Sequence, residues 1–170
     1  EEQISTIADW VESGMPEGDH DKRPSLPNFI NGWQLGKPDM VVKMSEPFPV
    51  PDEGRDIYRS FVIPLDLPDG KWLKAIEFRP DARSVVHHCL FFYDTTGEAR
   101  RLDKSDPHPG FRRMRQQGRG IGPLGGWAVG GQPEKLPEDL AYYLPKEADL
   151  VLSMHYHPSG KPERDQSSVG

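Results

Sequence analysis

The chain has 170 residues, a net charge of -6 at pH 7 and 35% hydrophobic residues. This length predicts one domain, or one domain with an appendage, around a modest core. The acidic charge does not fit a nucleic-acid-binding surface, and no apolar run approaches the roughly 18 residues needed to span a bilayer. With 17 Gly and 18 Pro, we expect many short segments joined by turns rather than long helices.

The first residues have the pattern of an amphipathic helix. From Glu1 to Ser13 the apolar side chains recur every three or four positions, and Gly14 is a suitable residue to end the helix. Residues 1–20 therefore form an N-terminal helical segment, residues 21–44 a linker, and residues 45–170 the main domain. The single cysteine, Cys89, excludes an internal disulfide.

The main domain is predicted to be all-β. Between Gly- and Pro-rich turns lie apolar or alternating runs at residues 57–65, 72–79, 85–93 and 149–157. Residues 94–125 are rich in charge, Gly and Pro, and they predict a long loop, while residues 125–131 predict an aromatic turn flanked by glycines. The fold class is an antiparallel β-sandwich or jelly roll with one N-terminal helix and a long loop.

Histidines are concentrated in two of these runs. His87 and His88 lie in the run ending at Tyr93, and His155 and His157 end the run that begins at Asp149. An unpartnered imidazole is costly to bury, so the rings require hydrogen-bond partners or a metal ion. Adjacent residues of a flat strand face opposite sides, so His87 and His88 can share an ion only if the strand twists or bulges, or if they use different ring nitrogens.

The residue types leave several kinds of site open. Three neutral imidazoles with a free position suit copper or zinc, and the spacing does not choose between them. Cys89 is either a soft ligand or a small buried hydrophobe, and Met154 faces away from His155. Asp94 and Asp149 flank the two histidine strands, which leaves a zinc or iron site with hydrolytic or dioxygenase chemistry as an alternative.

The histidine runs carry a family resemblance. Val85-Val-His-His-Cys-Leu-Phe-Phe-Tyr93, followed by Asp149-Leu-Val-Leu-Ser-Met-His-Tyr156, resembles the copper type II, ascorbate-dependent monooxygenases. These include peptidylglycine α-hydroxylating monooxygenase and dopamine β-monooxygenase, and the likeness is closer to bacterial multi-domain relatives. It covers roughly residues 45–170 and implies that His87, His88 and His155 are copper ligands, with His157 auxiliary.

The resemblance also implies a division of labour. In the family, the first copper domain supplies an electron, and a second copper domain binds oxygen and hydroxylates a C–H bond. Nothing in this sequence matches that second domain, and a further strand is expected after Gly170. The expected partners are an electron donor (ascorbate or a cytochrome) and a second copper domain in a longer parent protein. Hydroxylation by this chain alone is therefore not expected.

Residues 1–14 resemble the final helix of a c-type cytochrome domain. The resemblance implies a remnant of an upstream haem domain and a periplasmic or secreted parent protein. This chain has no Cys-x-x-Cys-His motif and so attaches no haem itself. A different class of function also stays open: a non-redox β-sandwich binding module, with Trp33 and Trp127 as exposed ligand platforms.

Overall fold

A computed structural model describes residues 1–26, 30–112 and 118–170. Parts of the predicted linker and of the predicted long loop fall at 27–29 and 113–117 and lie outside the described residues. The chain divides into two compact units, residues 1–31 and residues 32–170, which are described separately. None of the helices in the described ranges is long and apolar enough to cross a membrane.

The first unit contains helix α1, Glu2–Glu12, and a short 3-10 turn, His20–Lys22. The predicted N-terminal helix is confirmed, including its end at Gly14, which adopts a φ of 87°. The amide of Gly14 donates to the carbonyl of Val11, and the amide of Met15 donates to the carbonyl of Trp10. This is the pattern of a Schellman motif. No residue of α1 is buried, so its apolar stripe contributes nothing to a core.

The second unit is mostly strands, as predicted for an all-β fold. Helix α2 spans Glu98–Ser105. The strands are β1 (Val42–Lys43), β2 (Phe48–Val50), β3 (Ile57–Pro64), β4 (Lys71–Leu73), β5 (Phe78–Arg79), β6 (Val86–Asp94), β7 (Ile121–Ala128), β8 (Tyr142–Leu144), β9 (Asp149–Tyr156), β10 (Glu163–Asp165) and β11 (Ser168–Val169).

A four-stranded antiparallel sheet in the order β3-β9-β6-β7 forms the centre of this unit. Three smaller sheets, β1-β11-β5, β10-β2 and β4-β8, accompany it in an open sandwich-like arrangement. One face of the central sheet supplies the main core, which includes Phe61, Cys89, Phe91, Leu152, Met154 and Tyr156. The other face packs at one end against α2 through a smaller cluster of Val62, Phe92, Ala99, Phe111 and Val151. Burial on both faces explains why β9 reads as a continuous apolar run.

The predicted single strand over residues 72–79 is wrong. Two short strands occupy this region, and they pair with different partners: β4 with β8, and β5 with β11. Lys74 between them donates its ammonium hydrogens to the carbonyls of Pro137, Glu138 and Leu140, and buried Glu77 accepts two backbone amides. These long-range bonds direct the segment from one sheet to another, although its side chains alternate as in one strand.

The predicted long loop at 94–125 also contains regular structure. Helix α2 begins after Asp94, whose carboxylate accepts the backbone amides of Thr96 and Ala99. Only Ala99 of this charged helix is fully buried, with Leu102 packed beside it. One short apolar stripe among charges gives too weak a periodicity to indicate a helix from sequence.

The predicted aromatic turn at 125–131 is largely strand. Residues 125–128 belong to β7, where Gly125 lies opposite Phe91 and Trp127 opposite Cys89. A Cβ atom at Gly126 would lie 2.9 Å from the carbonyl oxygen of Cys89. Glycine is therefore needed here for close approach of the two strands rather than for a turn.

Candidate metal centre

Three histidines from two neighbouring strands converge at one end of the central sheet. The Nδ1 atom of His88 lies 3.1 Å from Nδ1 of His87 and 3.2 Å from Nδ1 of His155. One ring nitrogen from each of the three residues lies within 4.8 Å of the other two. The three histidines implied as ligands by the family resemblance are thus neighbours in space.

A β-bulge brings the two adjacent histidines to the same site. In the β6–β9 ladder, Val86 pairs with Tyr156 and His88 pairs with His155. One residue of β6, His87, therefore has no partner on β9 and is the extra residue of the bulge. The bulge meets the condition stated from the sequence, since a regular strand would direct one of the two rings to the opposite face.

The three rings differ in exposure. His87 is exposed, His88 is half-buried, and His155 is buried. Burial, and then repulsion from His155 and His87, lowers the pKa of His88. The environment therefore favours a neutral ring at His88, which is the form that offers a lone pair to a metal ion.

Hydrogen bonding within the trio cannot satisfy all three nitrogens. A neutral imidazole nitrogen carries either one hydrogen or one lone pair. Nδ1 of His88 has two nitrogen neighbours at hydrogen-bond distance, so it can make a normal bond to only one of them. A cation placed among three lone pairs would satisfy the whole set.

A carboxylate outside the trio orients His155, and it was not predicted from the sequence. Oδ2 of Asp56 lies 2.8 Å from Nε2 of His155, and Oδ1 lies 2.7 Å from Nδ1 of His157. Hydrogen bonds from His157 and then from His155 lower the pKa of Asp56. An ionised carboxylate only accepts, so this contact favours the tautomer of a neutral His155 ring that has the hydrogen on Nε2 and the lone pair on Nδ1.

The position of Asp56 follows from the register of two strands. The β3–β9 ladder ends with Ile57 opposite Tyr156, so the next residues, Asp56 and His157, are cross-strand neighbours. His155 is the diagonal neighbour on the same face, within reach of a side chain. Both strands were predicted, but their pairing and register were not, and only that register places Asp56 beside the histidines.

Tyr58 covers the ring of His155. It pairs with His155 across the β3–β9 ladder, and the two rings stack with centroids 4.3 Å apart and an interplanar angle of 10°. Tyr58 as a whole residue is 59% exposed. Stacking on one side and Asp56 at Nε2 together restrict rotation of the imidazole.

The other candidate ligands lie elsewhere. Met154 is buried in the main core, as its predicted orientation requires. Asp94 and Asp149 pair with each other at the opposite end of the β6–β9 ladder, where Asp94 binds the start of α2 and Asp149 forms a bidentate ion pair with Arg100. Neither aspartate belongs to the histidine group.

The two tryptophans are not the exposed platforms that the alternative function required. Both are half-buried. Trp127 packs against Phe78 with ring centroids 5.3 Å apart, and the guanidinium of Arg79 lies 5.1 Å from the ring centroid of Trp33. Their faces are used in packing within the second unit.

Cys89 is a core residue, and its thiol is expected to be unreactive. Its side chain has no solvent exposure, its sulfur contacts the carbonyl of Leu90 at 3.7 Å, and burial raises the pKa of the thiol well above its ordinary value. We expect folded protein to resist a thiol-modifying reagent and unfolded protein to react fully. Cys89→Ala should keep the metal stoichiometry and spectrum of the parent chain, whereas a changed spectrum would identify the sulfur as a ligand.

Comparison with known proteins adds no relative: no protein-family model, curated protein or solved structure matches the chain.

Proposed function

We propose that this chain is a mononuclear copper-binding electron-transfer domain of a copper-dependent monooxygenase. The observation that carries the proposal is the position of Nδ1 of His88, 3.1 and 3.2 Å from two other imidazole nitrogens. Hydrogen bonds among the three neutral rings alone cannot satisfy all three nitrogens. The resemblance of the two histidine strands to the first copper domain of those enzymes supplies the kind of reaction.

The separations fit a bound ion. Two ligand nitrogens about 2.0–2.1 Å from one ion lie about 3.1–3.5 Å apart at near-tetrahedral angles. The two short separations in the trio meet this requirement. The remaining pair lies within 4.8 Å, and His87 is exposed, so rotation of its side chain can complete the set.

The donor set disfavours a facial-triad iron site, and the family resemblance favours copper among the metals that remain. Three imidazoles suit copper or zinc, whereas a non-haem iron site of the facial-triad type requires a carboxylate ligand. The carboxylate of Asp56 lies beside the trio, but it faces Nε2 of His155 rather than Nδ1. It is engaged by two histidines and is not placed as the general base that a hydrolytic zinc site would use.

The residues of the site divide the work of an electron carrier. His87, His88 and His155 would hold copper, which would supply a one-electron couple. His155 is held rigidly by Tyr58 and Asp56, which limits the rearrangement between oxidation states. His87 is exposed and gives an electron donor or a second copper domain access to the centre. A periplasmic or secreted location of the parent protein belongs to the same proposal.

Titration with Cu(II), followed by electron paramagnetic resonance, tests the proposal. We expect one copper per chain with a type II spectrum, and loss of that signal on addition of ascorbate as Cu(II) is reduced. His87→Ala and His155→Ala should each lose the stoichiometric signal. His20→Ala is the matched control because His20 is exposed and outside the trio.

Three results would overturn the proposal. The first is copper binding that survives both ligand substitutions, and the second is equal loss in His20→Ala. The third is a site that binds zinc stoichiometrically but gives no copper signal. That last result would assign the trio to a non-redox metal site.

A further inference from the structure

The carboxylate of Asp56 links a buried ligand to an exposed histidine. Each of its oxygens is used once, by Nε2 of His155 and by Nδ1 of His157. We propose that Asp56 is the positioning residue of the metal centre and that His157 holds Asp56 in place. This inference rests on the proposed copper site and deepens it, since it names what prepares the site for the ion.

Asp56 selects the tautomer of His155 through its hydrogen bond to Nε2. With hydrogen on Nε2, bonded to Asp56, the ring presents a lone pair at Nδ1 toward His88. Without Asp56, His155 could carry its hydrogen on Nδ1 and donate it to Nδ1 of His88, 3.2 Å away. Such a hydrogen-bonded pair would block two ligand positions at once. Asp56 therefore disfavours the arrangement that competes with metal binding.

Backbone hydrogen bonds hold the segments that carry Asp56 and His157. The amide of Gly160 donates to the carbonyl of Asp52 at 2.9 Å, which ties the segment before β3 to the segment after β9. The amide of His157 donates to the carbonyl of Val85 at 2.8 Å, which ties the same region to the residue preceding β6. Asp56 and His157 are thus fixed to the segments that flank all three ligands.

The negative charge of Asp56 also affects the affinity of the site for a metal ion. Asp56 brings a negative charge to the imidazole of His155, and a carboxylate bonded to a ligating histidine raises the basicity of the ligand. A dication gains more from such a ligand than a monocation does. Asp56 should therefore strengthen Cu(II) binding more than Cu(I) binding and lower the reduction potential of the site.

Asp56→Asn tests these points because it removes the charge and keeps the shape of the side chain. We expect the variant to bind one copper, with an affinity for Cu(II) about 10–100-fold lower than that of the parent chain. If the affinity for Cu(I) falls tenfold less than that for Cu(II), the reduction potential rises by about 59 mV. His157→Ala should give a smaller change in the same direction.

Asp52→Asn is the matched control. Asp52 belongs to the same segment and is exposed, and its carboxylate bonds only the adjacent amide of Glu53 among the described residues. The control loses the same charge without touching the histidines. Equal potentials and Cu(II) affinities in Asp56→Asn, Asp52→Asn and the parent chain would overturn the positioning role.

Nitrogen NMR of metal-free protein separates this inference from the proposed function. We expect His155 to carry its hydrogen on Nε2 in the parent chain and to change or mix tautomers in Asp56→Ala. An unchanged tautomer in the variant would overturn the inference even if copper binds normally. Absence of copper binding by the parent chain would instead overturn the proposed function, and the tautomer measurement would still decide whether Asp56 orients the ring.

Discussion

His88→Ala is expected to abolish stoichiometric copper binding while the chain stays folded. His88 is the central member of the trio, because its Nδ1 is the atom close to both other rings. Removing a partner that only orients a ligand costs about 10–100-fold in metal affinity, so removing this ligand should cost more than about 100-fold. Competition with a chelator of known affinity measures the change.

Leu90→Ala is the matched control for His88→Ala. Leu90 lies on the same strand and the same face, two residues along, and is 40% exposed. It should keep the copper affinity of the parent chain, and circular dichroism should show that both variants are folded. Copper binding as tight as that of the parent chain in His88→Ala, or an equal loss in Leu90→Ala, would refute the central role of His88.

The strands that carry the ligands could be predicted because their local sequences are sufficient to indicate a β-strand. The runs ending in Tyr93 and in His157 are apolar, bounded by turn residues and rich in strand formers, and they became β6 and β9. The sequence also defined what two adjacent histidines require to meet one ion. The bulge at His87 meets that condition.

Features that depend on pairing were not predicted. The site of Asp56 depends on the register between β3 and β9, and no local pattern determines which residue before a strand will face a histidine on another. The break between β4 and β5 likewise depends on Lys74 and Glu77 finding distant partners. Long-range hydrogen bonds decide these features, whereas local apolar runs were sufficient to indicate β6 and β9.

Arg59→Met is expected to produce the largest loss of stability among the variants considered. Arg59 lies in β3 and is only 5% exposed. Its guanidinium donates to the carboxylate of Asp106 at 2.6 Å and to the backbone carbonyls of His108, Pro109 and Gly110. A hydrogen bond to a charged group typically contributes about 1.5–3 kcal/mol, and Arg59→Met removes several of them, so urea unfolding should show a loss of at least about 2 kcal/mol.

Arg101→Met is the control because Arg101 is 69% exposed and its contact with Glu98 is 3.8 Å long. We expect it to change the free energy of unfolding by less than about 0.5 kcal/mol. Arg59→Lys should lie between the two, since lysine keeps the charge but lacks the planar fork that binds several acceptors. Equal stabilities of Arg59→Met and Arg101→Met would show that this network does not stabilise the fold.

The contribution of Arg59 should also depend on pH in a defined direction. Its hydrogen bond lowers the pKa of Asp106 in the folded chain, so the ionised pair stabilises the protein above the unfolded carboxyl pKa of about 3.9. The stabilisation is lost as the pH falls through the lowered folded pKa. The difference in stability between the parent chain and Arg59→Met should therefore narrow below about pH 4.

Arg59 joins β3 to residues 106–110, whereas His88 contacts the other ligands. Arg59→Met should thus lower stability while the folded fraction still binds copper. His88→Ala should instead lose copper binding while the chain stays folded.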